Sequence, residues 1–319
     1  MLKFRSRFGQ RTKPLAIGML HVPPIPGASP FSDQKISGNA SLTARPYSKF
    51  LNQHYKQLLT EAKILINSGF DGVILENMAD LPYGNKPICL QTTICMNNLA
   101  SLLIPQVKKL ERKYPSNLPH VDTEKPAPLG TTPLFGVQIL SGGWKEALTI
   151  SYYFGADFVR TEGYTFAHVG DEGFHNSIAR EFCDHRAFLE NSLYKNSNPV
   201  DPRVYNFTDI RKKHSSHAIT ADISLVDDGV AAQFFKTDAC IITGKHTGES
   251  PSAGDVQEFK ASLPDMPVVL GSGISAENVK DYRDFCDVMI VGTSVKKEGK
   301  WENVVCEERS REFIKSLHE

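Results

Sequence analysis

The chain has 319 residues, 40% of them hydrophobic, with 36 basic and 36 acidic side chains and no formal net charge. That balance excludes a general electrostatic pull toward nucleic acid or anionic membranes, so no nucleic-acid partner is expected. The length suits one domain of alternating strands and helices with a sizeable core.

The first residues are basic. Lys3, Arg5, Arg7, Arg11 and Lys13 precede the first acidic residue, Asp33. Residues 1–13 read as a basic tail or a short leader. Six cysteines (Cys89, Cys95, Cys183, Cys240, Cys286, Cys306) form no CxxC pair and no disulfide-framework spacing, as expected of reduced thiols in an intracellular protein. A cytoplasmic location follows, with the mitochondrial matrix as the alternative that the acid-free N-terminus offers.

Apolar, β-branched runs then alternate with helix-capable segments over 14–319. Strands are predicted at Leu15–His21, Gly72–Asn77, Leu134–Leu140, Asp157–Glu162, Val204–Asp209, Asp238–Gly244, Val268–Leu270 and Val288–Val291. Helices are predicted at Tyr47–Ser68, Ile88–Lys113, Trp144–Phe154, Phe174–Tyr194, Ile219–Lys236, Ala253–Leu263, Ala276–Phe285 and Glu302–Leu317. Pro87–Val107 is uncharged, but its amides, hydroxyls and Pro105 argue for a half-buried helix and against a transmembrane segment. Eight strand–helix repeats favour a closed parallel (β/α)8 TIM barrel forming a single domain. The proline-rich stretch 114–133 reads as an insertion on the face away from chemistry, and the loop from Val22 to Pro46 as a cover over the mouth.

Barrel enzymes place reacting groups where strands end. His21 closes the first strand as a general acid/base, or as a histidine tied to the proline loop that follows. Glu76 and Asn77 close the second, with Asp80 nearby; Glu76, Asp80 and Asp209 are candidate hard-oxygen ligands for a divalent cation such as Mg. Arg160 closes the fourth strand; Glu76 and Arg160 are further catalytic candidates, with a salt bridge between the two as the alternative. Asp171 is read as a helix N-cap, or as a base or metal ligand. Asp209 ends the fifth strand, and with Lys213 and His214 close behind it is the leading catalytic candidate. Thr247 and Gly248, after the sixth strand, suit an anion.

The last two strands end in Gly271-Ser272-Gly273 and Gly292-Thr293-Ser294, where unshielded amides can converge on a phosphate. A carboxylate placed at Gly273 should therefore expel the ligand. Lys213 and Lys245 lie in loops, which argues against Schiff-base chemistry.

His21-Val-Pro-Pro-Ile-Pro-Gly27, Glu76-Asn-Met-Ala-Asp-Leu-Pro82, Gly155-Ala-Asp-Phe-Val-Arg160, Ile242-Thr-Gly-Lys-His-Thr-Gly248 and Val291-Gly-Thr-Ser-Val-Lys296 together resemble the BtpA family. The resemblance implies a ribulose-phosphate-binding type of barrel, and His21, Glu76, Asn77, Asp80, Arg160, Asp171, Asp209, Lys213 and His214 fall at its recurrent polar positions. Family members in photosynthetic bacteria are tied to photosystem I biogenesis or stability. The length of the 114–133 insertion and the aromatic loop Gly163–Val169 depart from the family pattern.

The expected function is binding of, and acid/base chemistry on, a small phosphorylated metabolite (a phosphosugar or nucleotide-like compound), as a lyase, isomerase or hydrolase. The alternatives are a non-enzymatic assembly or stability factor for a membrane complex, and a metal-dependent hydrolase. A homo-oligomer is compatible with each.

Overall fold

Strands form along the chain as β1 (Leu15–His21), β2 (Gly72–Glu76), β3 (Leu134–Gln138), β4 (Phe158–Glu162), β5 (His168–Gly170), β6 (Gly173–His175), β7 (Tyr205–Asp209), β8 (Ser215–Ser216), β9 (Ala239–Ile242), β10 (Val268–Leu270) and β11 (Val288–Val291). The computed structural model describes residues 13–28, 46–112, 132–194 and 203–319. The basic segment up to residue 12, residues 29–45 of the expected covering loop and nearly all of the proline-rich insertion lie outside the described residues.

Eight strands, all parallel, close into a barrel in the order β1-β2-β3-β4-β7-β9-β10-β11 and back to β1. Each falls within a run expected from the sequence. The helices are α1 (Pro46–Ser68), α2 (Leu90–Val107), α3 (Trp144–Phe154), α4 (Ala179–Tyr194), α5 (Leu225–Phe234), α6 (Ala253–Ser262) and α7 (Glu307–His318). Strand alternation sorts the apolar side chains into two cores. Leu15, Ile17, Met19, Ile74, Phe158, Tyr205, Phe207, Ile241, Val269 and Ile290 fill the barrel interior, with Phe158 and Phe207 stacked at 4.6 Å. Intervening residues such as Leu20, Val73, Val137 and Val159 pack outward against the helices.

A repeated device closes the N-terminal face. Asp71, Asp157, Asp238 and Asp287 each stand just before a strand, at β2, β4, β9 and β11. Each carboxylate accepts the N–H of a residue of the preceding barrel strand: Ala16 (2.9 Å), Phe135 (2.7 Å), Asn206 (2.8 Å) and Val268 (2.9 Å). Each also binds a cation from an outer segment, respectively Arg112, Lys108, Arg186 with Arg203, and Lys260. Charge-assisted bonds of this kind are stronger than neutral ones, so four staples lock the strands in pairs.

Three expectations are corrected. The segment Ala276–Phe285 is not an α-helix: it holds a short 3-10 turn at Val279–Asp281, and the Asn278 side chain bonds the Gly273 carbonyl (2.9 Å) and the Ser275 N–H (2.9 Å) instead of continuing a helix. Phe174 lies in β6, and the helix expected from it starts at Ala179. The hairpin of β5 and β6 pairs with β8 in a small antiparallel sheet. Ile219–Lys236 is interrupted; α5 starts only after Ser224, whose hydroxyl accepts the Asp227 N–H (3.0 Å) while the Asp227 carboxylate accepts the Ser224 N–H (3.1 Å).

Candidate active site

The strands' inward positions turn from apolar to charged at their C-terminal ends. Arg160 and Asp209 meet there as a buried bidentate pair, Nε to Oδ2 at 2.7 Å and Nη2 to Oδ1 at 2.8 Å, with Nη1 directed at the Gly271 carbonyl (3.4 Å). Burial opposes the charge on Arg160, but Asp209, Glu76 and Glu162 outweigh it and raise its pKa further. The expected ion pair of Glu76 with Arg160 is thus replaced by one with Asp209. Asp209 spends both oxygens fixing the guanidinium, a positioning task.

Glu76 instead faces His21, with Oε2 3.7 Å from Nε2. His21 Nδ1 lies 3.0 Å from the Trp301 carbonyl and donates to it, so the histidine is held by the C-terminal segment and not by the proline loop. Burial, then the charge of Lys296, lowers the His21 pKa to about 3, leaving a neutral ring with a lone pair toward Glu76. Burial pushes the Glu76 carboxyl upward. A neutral base and a carboxyl whose proton affinity burial raises therefore stand together at the mouth.

Asn77 and Asp80 hold loops in place. The Asn77 amide bonds Leu140 N–H (2.7 Å) and Asp80 Oδ2 (3.1 Å); Asp80 also accepts from Ile25 N–H (2.8 Å) and the Thr92 hydroxyl (3.2 Å). Both Asp80 oxygens are committed to the fold. Among the described residues no three His, Cys, Asp or Glu side chains are grouped so as to hold a metal ion. Asp171 is exposed between β5 and β6 and, with α4 starting at Ala179, caps no helix. His214 is exposed at the rim, its Nε2 3.1 Å from the Thr247 hydroxyl. Burial and the neighbouring Lys213 lower its pKa.

The turns after β10 and β11 lie side by side, joined by the Ser294 hydroxyl donating to the Ile274 carbonyl (2.8 Å). Among the described residues, the N–H groups of Gly273, Thr293 and Ser294 donate to no protein acceptor, and no side chain caps the 3-10 turn Thr293–Val295. The two serine hydroxyls are not free donors: Ser272 donates to Glu249 O (2.9 Å) and accepts Gly244 N–H (3.1 Å), and Ser294 is used as above. Gly271 and Gly292 connect these turns to the charged mouth, since a Cβ at Gly271 would lie 3.1 Å from Arg160 Nη2 and one at Gly292 3.7 Å from His21 Cε1. Gly273 has φ +72°, and a Cβ there would meet Ser250 N at 2.1 Å. A carboxylate at Gly273 would therefore break the turn itself, and it is no clean probe of a ligand.

Glu162, Lys212 and Gln138 were not among the site residues expected from the sequence, whereas the Thr-Gly pair at Thr243 was expected, with Thr247-Gly248, to offer donors to an anion. Glu162 is raised to about 7 by burial, against Lys212 at 3.6 Å. Its Oε2, Gln138 Oε1 and Thr243 Oγ1 are buried without a hydrogen-bond partner among the described residues, which leaves three acceptors or donors open at this end of the barrel. Strand parity was the available signal, since Glu162 shares Arg160's parity and Gln138 that of Leu134.

A family model, the BtpA family, matches residues 11–109 and 131–319. The chain belongs to the BtpA family. The gap in the match falls on the proline-rich insertion. Among BtpA-related sequences, the protein F13E9.13, mitochondrial, of Caenorhabditis elegans is 31% identical over 98% of this chain and 96% of its own length. Protein PH1209 of Pyrococcus horikoshii is 28% identical over 96% and 98%. The photosystem I biogenesis protein BtpA of Synechocystis is 22% identical over 95% and 88%. Among solved structures, the thiamine phosphate pyrophosphorylase of Pyrococcus furiosus superposes with a TM-score of 0.50 at 10% identity, covering 98% of this chain and 97% of that one, a likeness of fold. Among the described residues of this BtpA-family chain, no helix is long and apolar enough to cross a membrane.

Proposed function

We propose that the mouth binds a small phosphorylated metabolite and performs acid/base chemistry on it. The phosphate lies against the amides of Gly273, Thr293 and Ser294, and the reacting carbons face Glu76, His21 and Arg160. The observation that carries this reading is the pair of joined turns whose amides have no protein acceptor, bordered by the Arg160 guanidinium. Amide donors combined with a guanidinium suit a phosphate dianion. Burial raises the proton affinity of Glu76, which favours a donor role, and neutral His21 has a lone pair to accept a proton.

A thermal-shift panel of sugar phosphates tests it. A ligand at 100 times its dissociation constant adds about 2.7 kcal/mol, or about 5 °C in a chain of this size. Thr293→Asp, which sets a carboxylate against the free amides, should abolish the shift. A shift of undiminished size in that variant would refute the phosphate placement.

A second reading, a non-enzymatic assembly factor, is favoured by the exposed apolar side chains Val230, Phe234 and Phe235 at α5, Phe234 being 75% exposed, and by the Synechocystis relative's name. It predicts no shift from any phosphate compound.

A further inference from the structure

We propose that Lys213 is a nucleophile that forms an imine with the carbonyl carbon of a phosphorylated aldehyde or ketone held in the mouth, an inference that rests on the phosphate site proposed above.

The loop position that spoke against Lys213 in the sequence does not keep its side chain out. Ile210 N–H donates to the Ile241 carbonyl (3.2 Å) and His214 N–H to the Lys245 carbonyl (3.1 Å), so the segment is tied down on both sides of the lysine pair. Arg211 (φ 80°) and His214 (φ 55°) both take left-handed backbone that non-glycine residues seldom adopt, and the chain between them is sharply turned. The two lysines part company there. Lys212 is spent on Glu172 and Glu162. Lys213 is half-buried, and among the described residues its amine has no carboxylate within ion-pair distance and no hydrogen bond. It is close enough to Glu76, Arg160, Asp209 and Glu162 for their charges to act on it. The mouth thus holds an amine that no structural ion pair consumes, while Arg160 and Lys212 are both committed.

The surroundings also favour its reactive form. Burial, then the adjacent Arg160 charge, lowers the pKa of Lys213 against the opposing pull of Glu76, Asp209 and Glu162. Desolvation and a neighbouring cation are the two usual means of activating a lysine amine.

The step balances with groups at hand. The Nζ lone pair attacks the carbonyl carbon and the C=O π pair moves to oxygen. A proton then passes from nitrogen to that oxygen, giving a neutral carbinolamine. In the proposed step the Glu76 carboxyl, whose proton affinity burial raises, gives a proton to the departing hydroxyl. Water leaves, and an iminium and the Glu76 carboxylate remain as a new ion pair. The iminium accepts the electron pair of the adjacent C–H bond, or of the next C–C bond of a β-hydroxy substrate, as that bond breaks. The neutral His21 ring takes the released proton, from carbon in the first case and from the β-hydroxyl, which becomes a carbonyl, in the second. That proton returns to the enamine carbon, and hydrolysis of the iminium so formed frees the amine and the carbonyl product. Lyase and isomerase chemistry both follow from this intermediate.

Reductive trapping tests the inference. The full chain is incubated with glyceraldehyde 3-phosphate and sodium cyanoborohydride, and the secondary amine is located by intact mass and peptide mapping. Labelling at Lys213 should exceed that at exposed Lys245 by about tenfold or more, because a bound carbonyl is presented at high effective concentration. It should be suppressed by inorganic phosphate and disappear in Lys213→Arg. Lys213 labelled equally by unphosphorylated glyceraldehyde, with no suppression by phosphate, would keep the imine and overturn the phosphate site. Thermal stabilisation by phosphate without labelling at Lys213, or labelling spread evenly over surface lysines, would overturn the imine and leave the phosphate site standing. The wild-type labelling map decides the matter even if the arginine variant fails to fold.

Discussion

Asp209→Asn preserves side-chain volume while removing the charge against which Arg160 is set. The two hydrogen bonds joining these side chains are 2.7 and 2.8 Å long, and Arg160 and Asp209 are each 4% exposed. Taking away one partner of a buried pair leaves the other charge desolvated, at a typical cost of about 3–5 kcal/mol. Glu76 and Glu162 also act on the guanidinium and offset part of that cost. The lower end, about 3 kcal/mol, is therefore expected. The double variant Arg160→Met with Asp209→Leu removes both charges and should cost clearly less than the two single changes added together, with a coupling of about 2 kcal/mol. Urea unfolding of wild type, Asp209→Asn, Arg160→Met, Asp209→Leu and the double variant measures each value. An Asp209→Asn variant within about 1 kcal/mol of wild type, together with an additive cycle, would refute the claim that the pair is buried and mutually dependent.

Glu162 makes the protein's stability depend on pH. Its carboxyl is raised by burial from 4.5 to about 7, so the native state holds a proton that the unfolded chain releases. Its contribution is full below pH 4.5 and declines as pH rises to 7, by about 3 kcal/mol in all. The wild-type minus Glu162→Gln difference, followed by urea unfolding from pH 4 to 8, should show that decline; a flat difference would contradict it. Asp238→Ala strips an acceptor from the Asn206 N–H and a partner from Arg186 and Arg203, and should cost about 3 kcal/mol or more. Ser224→Ala, which removes only the cap of α5, should cost about 1 kcal/mol in the same assay. Equal costs for these two would contradict the staple role of the aspartate. Gly273→Ala combines left-handed backbone with a main-chain clash and should lower Tm sharply even without ligand.

The barrel was legible because buried parallel strands are short apolar runs and chemistry collects at their ends. The aspartate staples were legible too, as an acidic residue ahead of Gly72, Phe158, Ala239 and Val288, but four scattered residues do not read as a repeat until the strands are laid side by side. Arg160's partner was not, because the pairing depends on inter-strand register: Arg160 stands opposite Phe207, and Asp209 opposite Glu162. The three strands of the small sheet are two or three residues long, too short for any period to show. Ala276–Phe285 has a helix's composition, and what defeats the helix is one asparagine side chain bonding backbone groups. The course of the loop carrying Lys213 was not legible, because it is set by backbone angles at Arg211 and His214 that side-chain identity does not announce.

A crystal of the protein soaked in a sugar phosphate tests the phosphate cup most directly. Density for the phosphoryl group within about 3 Å of the amides of Gly273, Thr293 and Ser294 is the predicted result. A phosphoryl group bound elsewhere on the barrel, with those amides untouched at saturating ligand, would contradict the account.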